Sequence, residues 1–185
     1  HMAAVGYDLF MEMVSEAVAE LAGEAQPERV DPELKLDVEA RIPADAIPDE
    51  RLRLRFYKRL AAARDLPEVA AVASEIADRF GRLPPAVERL AAFMRIKLHA
   101  RALGLAQVGL NGATVQASAA SGHPASVPAV LAAAVSAGWQ IVPGGVPGRA
   151  RVQMPRSVAA DARLAALEDL LALAAGMVQA GSPRD

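Results

Sequence analysis

Side chains that could carry chemistry are few in this chain and far apart. There is no cysteine, which excludes disulfides and thiolate metal sites. The three histidines, His1, His99 and His123, do not form the set of three or four ligands that a metal needs. No nucleophile stands ready for activation by a base, and nothing selects one pair of carboxylates for acid–base work. We therefore expect no catalytic residue, no metal and no cofactor.

One charged cluster lies near the end of a predicted helix. Glu75, Asp78, Arg79 and Arg82 follow the spacing i, i+3, i+4 and i+7, which predicts that they share one helix face. An ordinary solvated face with a Glu75–Arg79 pair satisfies this pattern. The alternative is an electrostatic docking patch whose carboxylates pair with arginines of a partner. The spacing alone favours the solvated face.

A second cluster is basic and occupies an earlier predicted helix. Its members are Arg51, Arg53, Arg55, Lys58 and Arg59. Such a cluster is able to bind phosphate, which makes a nucleic-acid-binding accessory domain the alternative hypothesis for function. Arg53 lies on a different face from Arg55 and Arg59, and no exposed aromatic residues are interleaved. A solvated helix surface is therefore favoured over nucleic-acid contact.

Composition limits the class of protein. The 185 residues are 53% hydrophobic but only 4% aromatic, which is enough for one domain with a core of small aliphatic side chains. The formal net charge of −2 provides no global attraction to DNA or to an acidic membrane. The sequence shows no signal peptide and no apolar run that could cross a bilayer. We expect a cytoplasmic protein.

The elements that position these clusters follow from hydrophobic periodicity and from Pro, Gly and Asp punctuation. The pattern predicts helices over residues 7–22, 50–64, 67–80, 84–103, 128–137 and 163–177. It predicts strands over residues 34–41, 108–110, 113–117, 139–142 and 149–154. The Asn111-Gly112 dipeptide indicates a two-residue hairpin turn. The predicted fold class is α+β, with a helical layer packed on a small mixed or antiparallel sheet.

Several ordered segments resemble the C-terminal domain of bacterial transcription-repair coupling factors. Residues 47–52 (IPDERL) and 56–61 (FYKRLA) resemble one segment of that domain, and residues 75–81 (EIADRFG), followed by Leu83-Pro84, resemble another. The opening residues 6–10 (GYDLF) resemble the last helix of the family's motor module. The similarity extends over about residues 6–105.

The resemblance implies a regulatory role. In this family an ATP-driven DNA translocase contacts RNA polymerase and couples it to nucleotide excision repair. The non-catalytic C-terminal domain packs on the N-terminal UvrB-like module and covers the surface that recruits UvrA. The family's docking residues match Glu75, Asp78 and Arg79 here, and we add Arg82 as a weaker candidate. The expected partners are that module, indirectly UvrA, and no membrane.

The same resemblance suggests a domain division. Residues 1–2 read as a cloning remnant, and residues 3–23 as the terminal helix of the upstream motor module. Residues 24–33 are rich in Pro, Gly and charge, which is typical of a linker. Residues 34–180 are expected to form the regulatory domain, and residues 181–185 a disordered tail.

Overall fold

The computed structural model of the chain describes residues 30–143 and 146–181. Five helices and five strands lie within these residues. The helices are α1 (Glu50–Ala62), α2 (Leu66–Phe80), α3 (Pro85–Leu103), α4 (Ser126–Ser136) and α5 (Arg163–Gly181). The strands are β1 (Glu33–Leu36), β2 (Leu105–Asn111), β3 (Thr114–Ala119), β4 (Gln140–Ile141) and β5 (Arg149–Gln153). The predicted helix over residues 7–22 lies outside the described residues.

The described residues form two compact units. One unit is Val38–Arg95, which contains α1, α2 and most of α3. The other consists of residues 30–37 and 96–181, with the end of α3, all five strands, α4 and α5. The predicted division into a motor helix, a linker and a regulatory domain stays a prediction.

In the first unit, two aspartates start the first two helices. The Asp49 carboxylate accepts a hydrogen bond from the backbone N–H of Leu52 at 3.2 Å and thereby caps the N-terminus of α1. The Asp65 carboxylate caps α2 in the same way, accepting from the N–H of Glu68 at 2.8 Å. Each cap satisfies a backbone donor that has no partner within its helix.

The buried faces of α1 and α2 are the apolar stripes that the sequence indicates. Phe56 and Leu60 of α1 and Val69, Val72 and Ile76 of α2 are all nearly inaccessible to solvent. Burying apolar area at about 25 cal/mol per Å² makes these side chains the main stabilising contribution of the helix pair. α2 ends at Phe80, and the φ of +86° at the following Gly81 suits a residue without a side chain.

The second unit is built on a five-stranded mixed sheet with the order β1-β2-β3-β5-β4. β1 runs parallel to β2, and every other neighbouring pair is antiparallel. The predicted hairpin is confirmed, but its two turn residues are Gly112 and Ala113 rather than Asn111 and Gly112, because Asn111 belongs to β2 and pairs with Thr114. Gly112 has a φ of +57°. α4 packs against β3, β4, β5 and α5. The α+β fold class and the mixed sheet therefore agree with the prediction.

The predicted strand over residues 34–41 is wrong in its length. The alternation of apolar and polar residues continues to Arg41, but β1 ends at Leu36. Among the described strands it pairs with β2 alone, and β2 reaches its hairpin turn after Asn111. The last bond of the ladder therefore runs from the N–H of Asp37 to the carbonyl of Leu110 at 3.4 Å. Beyond that point no strand of the described residues pairs with the segment.

Within the described residues, no helix combines the length and apolar character needed to cross a bilayer.

Candidate functional site

Glu75 lies between two arginines at the C-terminal part of α2. Its Oε2 accepts a hydrogen bond of 2.5 Å from Nη1 of Arg59 on α1, and its Oε1 accepts one of 3.3 Å from Nη1 of Arg79 on α2. The Glu75–Arg79 pair predicted from the i, i+4 spacing is therefore present. Both oxygens of the Glu75 carboxylate are already engaged within the unit.

These bonds change the acidity of Glu75. The hydrogen bond from Arg59 is the largest cause that lowers the pKa of its carboxyl below the ordinary value of 4.5. The hydrogen bond from Arg79 and the positive charges of both arginines lower the pKa further, while partial burial opposes them. The carboxylate thus keeps its charge to a lower pH than an isolated glutamate would.

Arg79 also packs on aromatic rings. Its guanidinium carbon lies 5.4 Å from the ring centroid of Phe80 and 5.9 Å from that of Phe56. The two rings meet edge to face, with centroids 6.2 Å apart and an interplanar angle of 87°. The Arg59 guanidinium lies 5.8 Å from the Phe56 centroid. The Phe56 ring thus supports both arginines that hold Glu75.

Phe80 corrects one prediction. Its helical spacing from Val69, Val72 and Ile76 predicts that Phe80 belongs to the buried stripe of α2, but 38% of the residue is exposed. It is the last residue of α2, where the edge-to-face contact with Phe56 and the Arg79 guanidinium cover its ring only in part. An apolar ring therefore lies at the surface beside the charged residues.

Asp78 is the free carboxylate of the cluster. It is exposed on α2, and its side chain makes no hydrogen bond or ion pair with any residue that the structure describes. Its carboxylate therefore remains available to a cation from outside. Because it is fixed on a capped helix, its position is set by the fold rather than by a flexible loop.

Arg82 does not belong to the helix face on which the spacing places it. α2 ends at Phe80, and Gly81 turns the chain away with a positive φ before Arg82 is reached. The prediction that Arg82 shares a helix face with Glu75 is therefore wrong. Arg82 is nevertheless exposed, close to the same end of α2. The structure brings Glu75, Asp78 and Arg79 together on α2 and leaves Arg82 in the following loop.

The basic helix is divided by its contacts. Arg53 donates from Nη1 to the carbonyls of Ile47 and Pro48, at 2.6 and 2.9 Å, and so holds the loop before α1. Arg59 is engaged with Glu75. Both cations serve the fold.

Arg59 and Phe80 belong to the site, although helical spacing does not connect them with the docking residues Glu75, Asp78 and Arg79. Arg59 is 16 residues away from Glu75, on another helix, so no local spacing connects them. The only sequence signal for this contact is that Arg59 lies on α1 next to the buried stripe of that helix.

Among residues 30–143 and 146–181, no group of three or more His, Cys, Asp or Glu side chains could hold a metal ion.

Comparisons with known proteins agree on one family. The family model of the TRCF domain matches residues 36–129, which include α1, α2 and the whole charged cluster. Transcription-repair-coupling factors of Mycobacterium bovis and Mycobacterium tuberculosis are each 41% identical over 130 residues, covering 64% of this chain and 10% of the relative. That of Myxococcus xanthus is 35% identical over 104 residues, covering 56% of this chain and 9% of the relative.

A solved structure shares the fold. The crystal structure of the C-terminal domain of transcription-repair coupling factor matches with a TM-score of 0.67 at 17% identity, over 80% of this chain and 92% of that one. The chain spans about a tenth of the length of the curated relatives it matches. The resemblance found in the sequence is confirmed, and this chain belongs to the TRCF domain family of transcription-repair coupling factors.

Proposed function

We propose that this chain is a non-catalytic regulatory domain that docks onto the N-terminal UvrB-like module of its own parent protein. Docking covers the module's surface for UvrA, so that the parent, a cytoplasmic ATP-dependent DNA translocase, does not recruit repair proteins before it meets stalled RNA polymerase. The contact surface is the docking patch, by which we mean Glu75, Asp78 and Arg79 on α2.

One observation carries this proposal. Asp78 presents an exposed carboxylate with no partner among the described residues, next to an arginine that is held over two aromatic rings. A carboxylate fixed on a rigid helix loses little freedom when it binds a guanidinium, and such charge-assisted hydrogen bonds are among the stronger polar contacts. The patch thus fits a partner surface that carries arginine.

The polar character of the docking patch suits a contact that covers the UvrA-binding surface reversibly. A domain tethered to its partner binds at a high effective concentration, so a modest affinity is enough to keep the surface covered. Contacts between domains of one chain are typically small and polar, and such contacts separate more readily than a large apolar interface. The exposed charges of Asp78 and Arg79 have this character.

The proposal is tested by isothermal titration calorimetry of this chain against the parent's N-terminal module. Asp78→Ala is expected to weaken binding by about tenfold, since hydrogen bonds to charged groups contribute about 1.5–3 kcal/mol. The double variant Glu75→Ala with Arg79→Ala is expected to weaken it further. Asp161→Ala, which removes an exposed carboxylate elsewhere in the chain, serves as the control. Equal affinity of all four proteins would exclude the docking patch.

A further inference from the structure

α1 carries three cations that the fold does not use. Arg51, Arg55 and Lys58 are exposed, and their side chains make no hydrogen bond or ion pair with any described residue. Their spacing of i, i+4 and i+7 places them within an arc of about 60° on an α-helix. We call these three residues the basic strip. Arg53 and Arg59 of the same helix differ from them, because both form hydrogen bonds within the first unit.

The basic strip weakens the helix that bears it. Arg51 and Arg55 are like charges at i, i+4, and Arg55 and Lys58 are like charges at i, i+3, which is repulsive on a helix surface. Arg51 also lies in the first turn of α1, where the helix dipole disfavours a cation. A surface that opposes local stability without a compensating contact in the fold points to a role in binding.

The basic strip is continuous with the docking patch. Arg55 and Arg59 are one turn apart on α1, and Arg59 is joined to Glu75 of the docking patch by its 2.5 Å hydrogen bond. The charged surface therefore extends from Asp78 and Arg79 of α2, across Arg59, to the outer face of α1. Along this path its character changes from mixed charge to positive charge.

An apolar side chain borders the basic strip. Leu54 follows Arg51 at i+3 and precedes Lys58 at i+4, and 36% of it is exposed. A protein partner gains from covering such a residue, whereas a phosphate backbone offers no apolar surface to cover it. The combination of free cations around Leu54 thus favours an acidic protein surface over nucleic acid as the occupant.

We propose that the docking site extends over the basic strip and that the UvrB-like module presents an acidic surface to it. This inference rests on the proposed function, since it assigns a second half to the same interface. The partner it fits is bipolar, with arginine opposite Asp78 and carboxylates opposite Arg51, Arg55 and Lys58. Such a pattern also fixes the orientation of docking, because a reversed approach would oppose like charges.

The test uses the full-length parent protein and measures its affinity for UvrA by biolayer interferometry. Arg55→Glu with Lys58→Glu is expected to open the mask and raise the affinity for UvrA at least fivefold. Arg149→Glu with Arg151→Glu makes the same change of charge on exposed positions of β5, and it should leave the affinity unchanged. The thermal midpoint of the Arg55→Glu and Lys58→Glu chain should not fall, because the replaced side chains make no hydrogen bond or ion pair with any described residue.

Three outcomes are distinguishable. If Asp78→Arg raises the affinity for UvrA but Arg55→Glu with Lys58→Glu does not, docking is confined to α2 and the extension is wrong while the proposed function stands. If neither variant changes it, the proposed function fails as well. If this chain binds a fluorescein-labelled DNA duplex, and only that binding is lost in Arg55→Glu with Lys58→Glu, the basic strip serves nucleic acid instead.

Discussion

Arg59 and Glu75 are joined by a hydrogen bond of 2.5 Å between Nη1 and Oε2, which connects α1 to α2 at the edge of the docking patch. Glu75 therefore has two roles, one within the helix pair and one in the proposed contact. A substitution at Glu75 changes both at once. Asp78, which has no partner in the described part of the chain, reports on docking alone.

The Arg59–Glu75 bond predicts a pH effect. Because Arg59 lowers the pKa of Glu75 below 4.5, the stability that this pair contributes is present above that value and is lost as the pH falls through the lowered pKa. In Arg59→Gln, the pKa of Glu75 should rise. Carbon-detected NMR titration of the Glu75 carboxyl measures both values, and an unchanged pKa would show that the bond does not persist in solution.

Phe56 and Phe80, whose rings contact each other, should differ in their contribution to stability. Phe56 is 1% exposed, so Phe56→Ala leaves a cavity and should cost about 3–5 kcal/mol. Phe80 is 38% exposed, and Phe80→Ala should cost roughly 1–2 kcal/mol, from partial burial and the edge-to-face contact. Chemical denaturation of the two variants gives both values. Equal costs would contradict the exposed position of Phe80.

Two glycines with positive φ should respond differently to alanine. Gly112 has open space around it, so Gly112→Ala should cost only about 1–2 kcal/mol of left-handed strain. At Gly104 a methyl group would also lie only 2.0 Å from the His123 ring, so Gly104→Ala should cost clearly more. Adding His123→Ala should recover part of the loss. Thermal unfolding of Gly112→Ala, Gly104→Ala and Gly104→Ala with His123→Ala measures the three stabilities. If His123→Ala restores none of the stability lost in Gly104→Ala, the clash with the His123 ring is contradicted.

Local signals predicted most of the helices and the hairpin. Asp49 and Gly81 determine helix ends through contacts within a few residues. Gly112 determines the hairpin turn in the same way, although the turn lies one residue later than the Asn111-Gly112 dipeptide predicts. The end of β1 was not predictable, because it depends on where β2 turns, about 75 residues further along the chain. Strand length is set by the partner, and alternation alone does not contain that information.

The sequence predicts only those contacts of the candidate site that lie within one helix. The Glu75–Arg79 pair follows from helical spacing, whereas the Arg59–Glu75 bond requires the packing of α1 on α2. Phe80 was assigned to the core because its periodicity is that of Val69, Val72 and Ile76. Periodicity identifies the face of a helix, but it does not show that the neighbouring helix fails to cover the last residue.

The masking function is tested most directly by UvrA binding to the full-length parent protein in the absence of RNA polymerase. Asp78→Arg should raise the affinity for UvrA by about tenfold or more, because it replaces the unpaired carboxylate of the docking patch with a charge that repels a partner arginine. Asp161→Arg, with the same change in an exposed turn, should bind UvrA like the unmodified protein. Equal, weak binding of UvrA by Asp78→Arg and Asp161→Arg would contradict masking through α2.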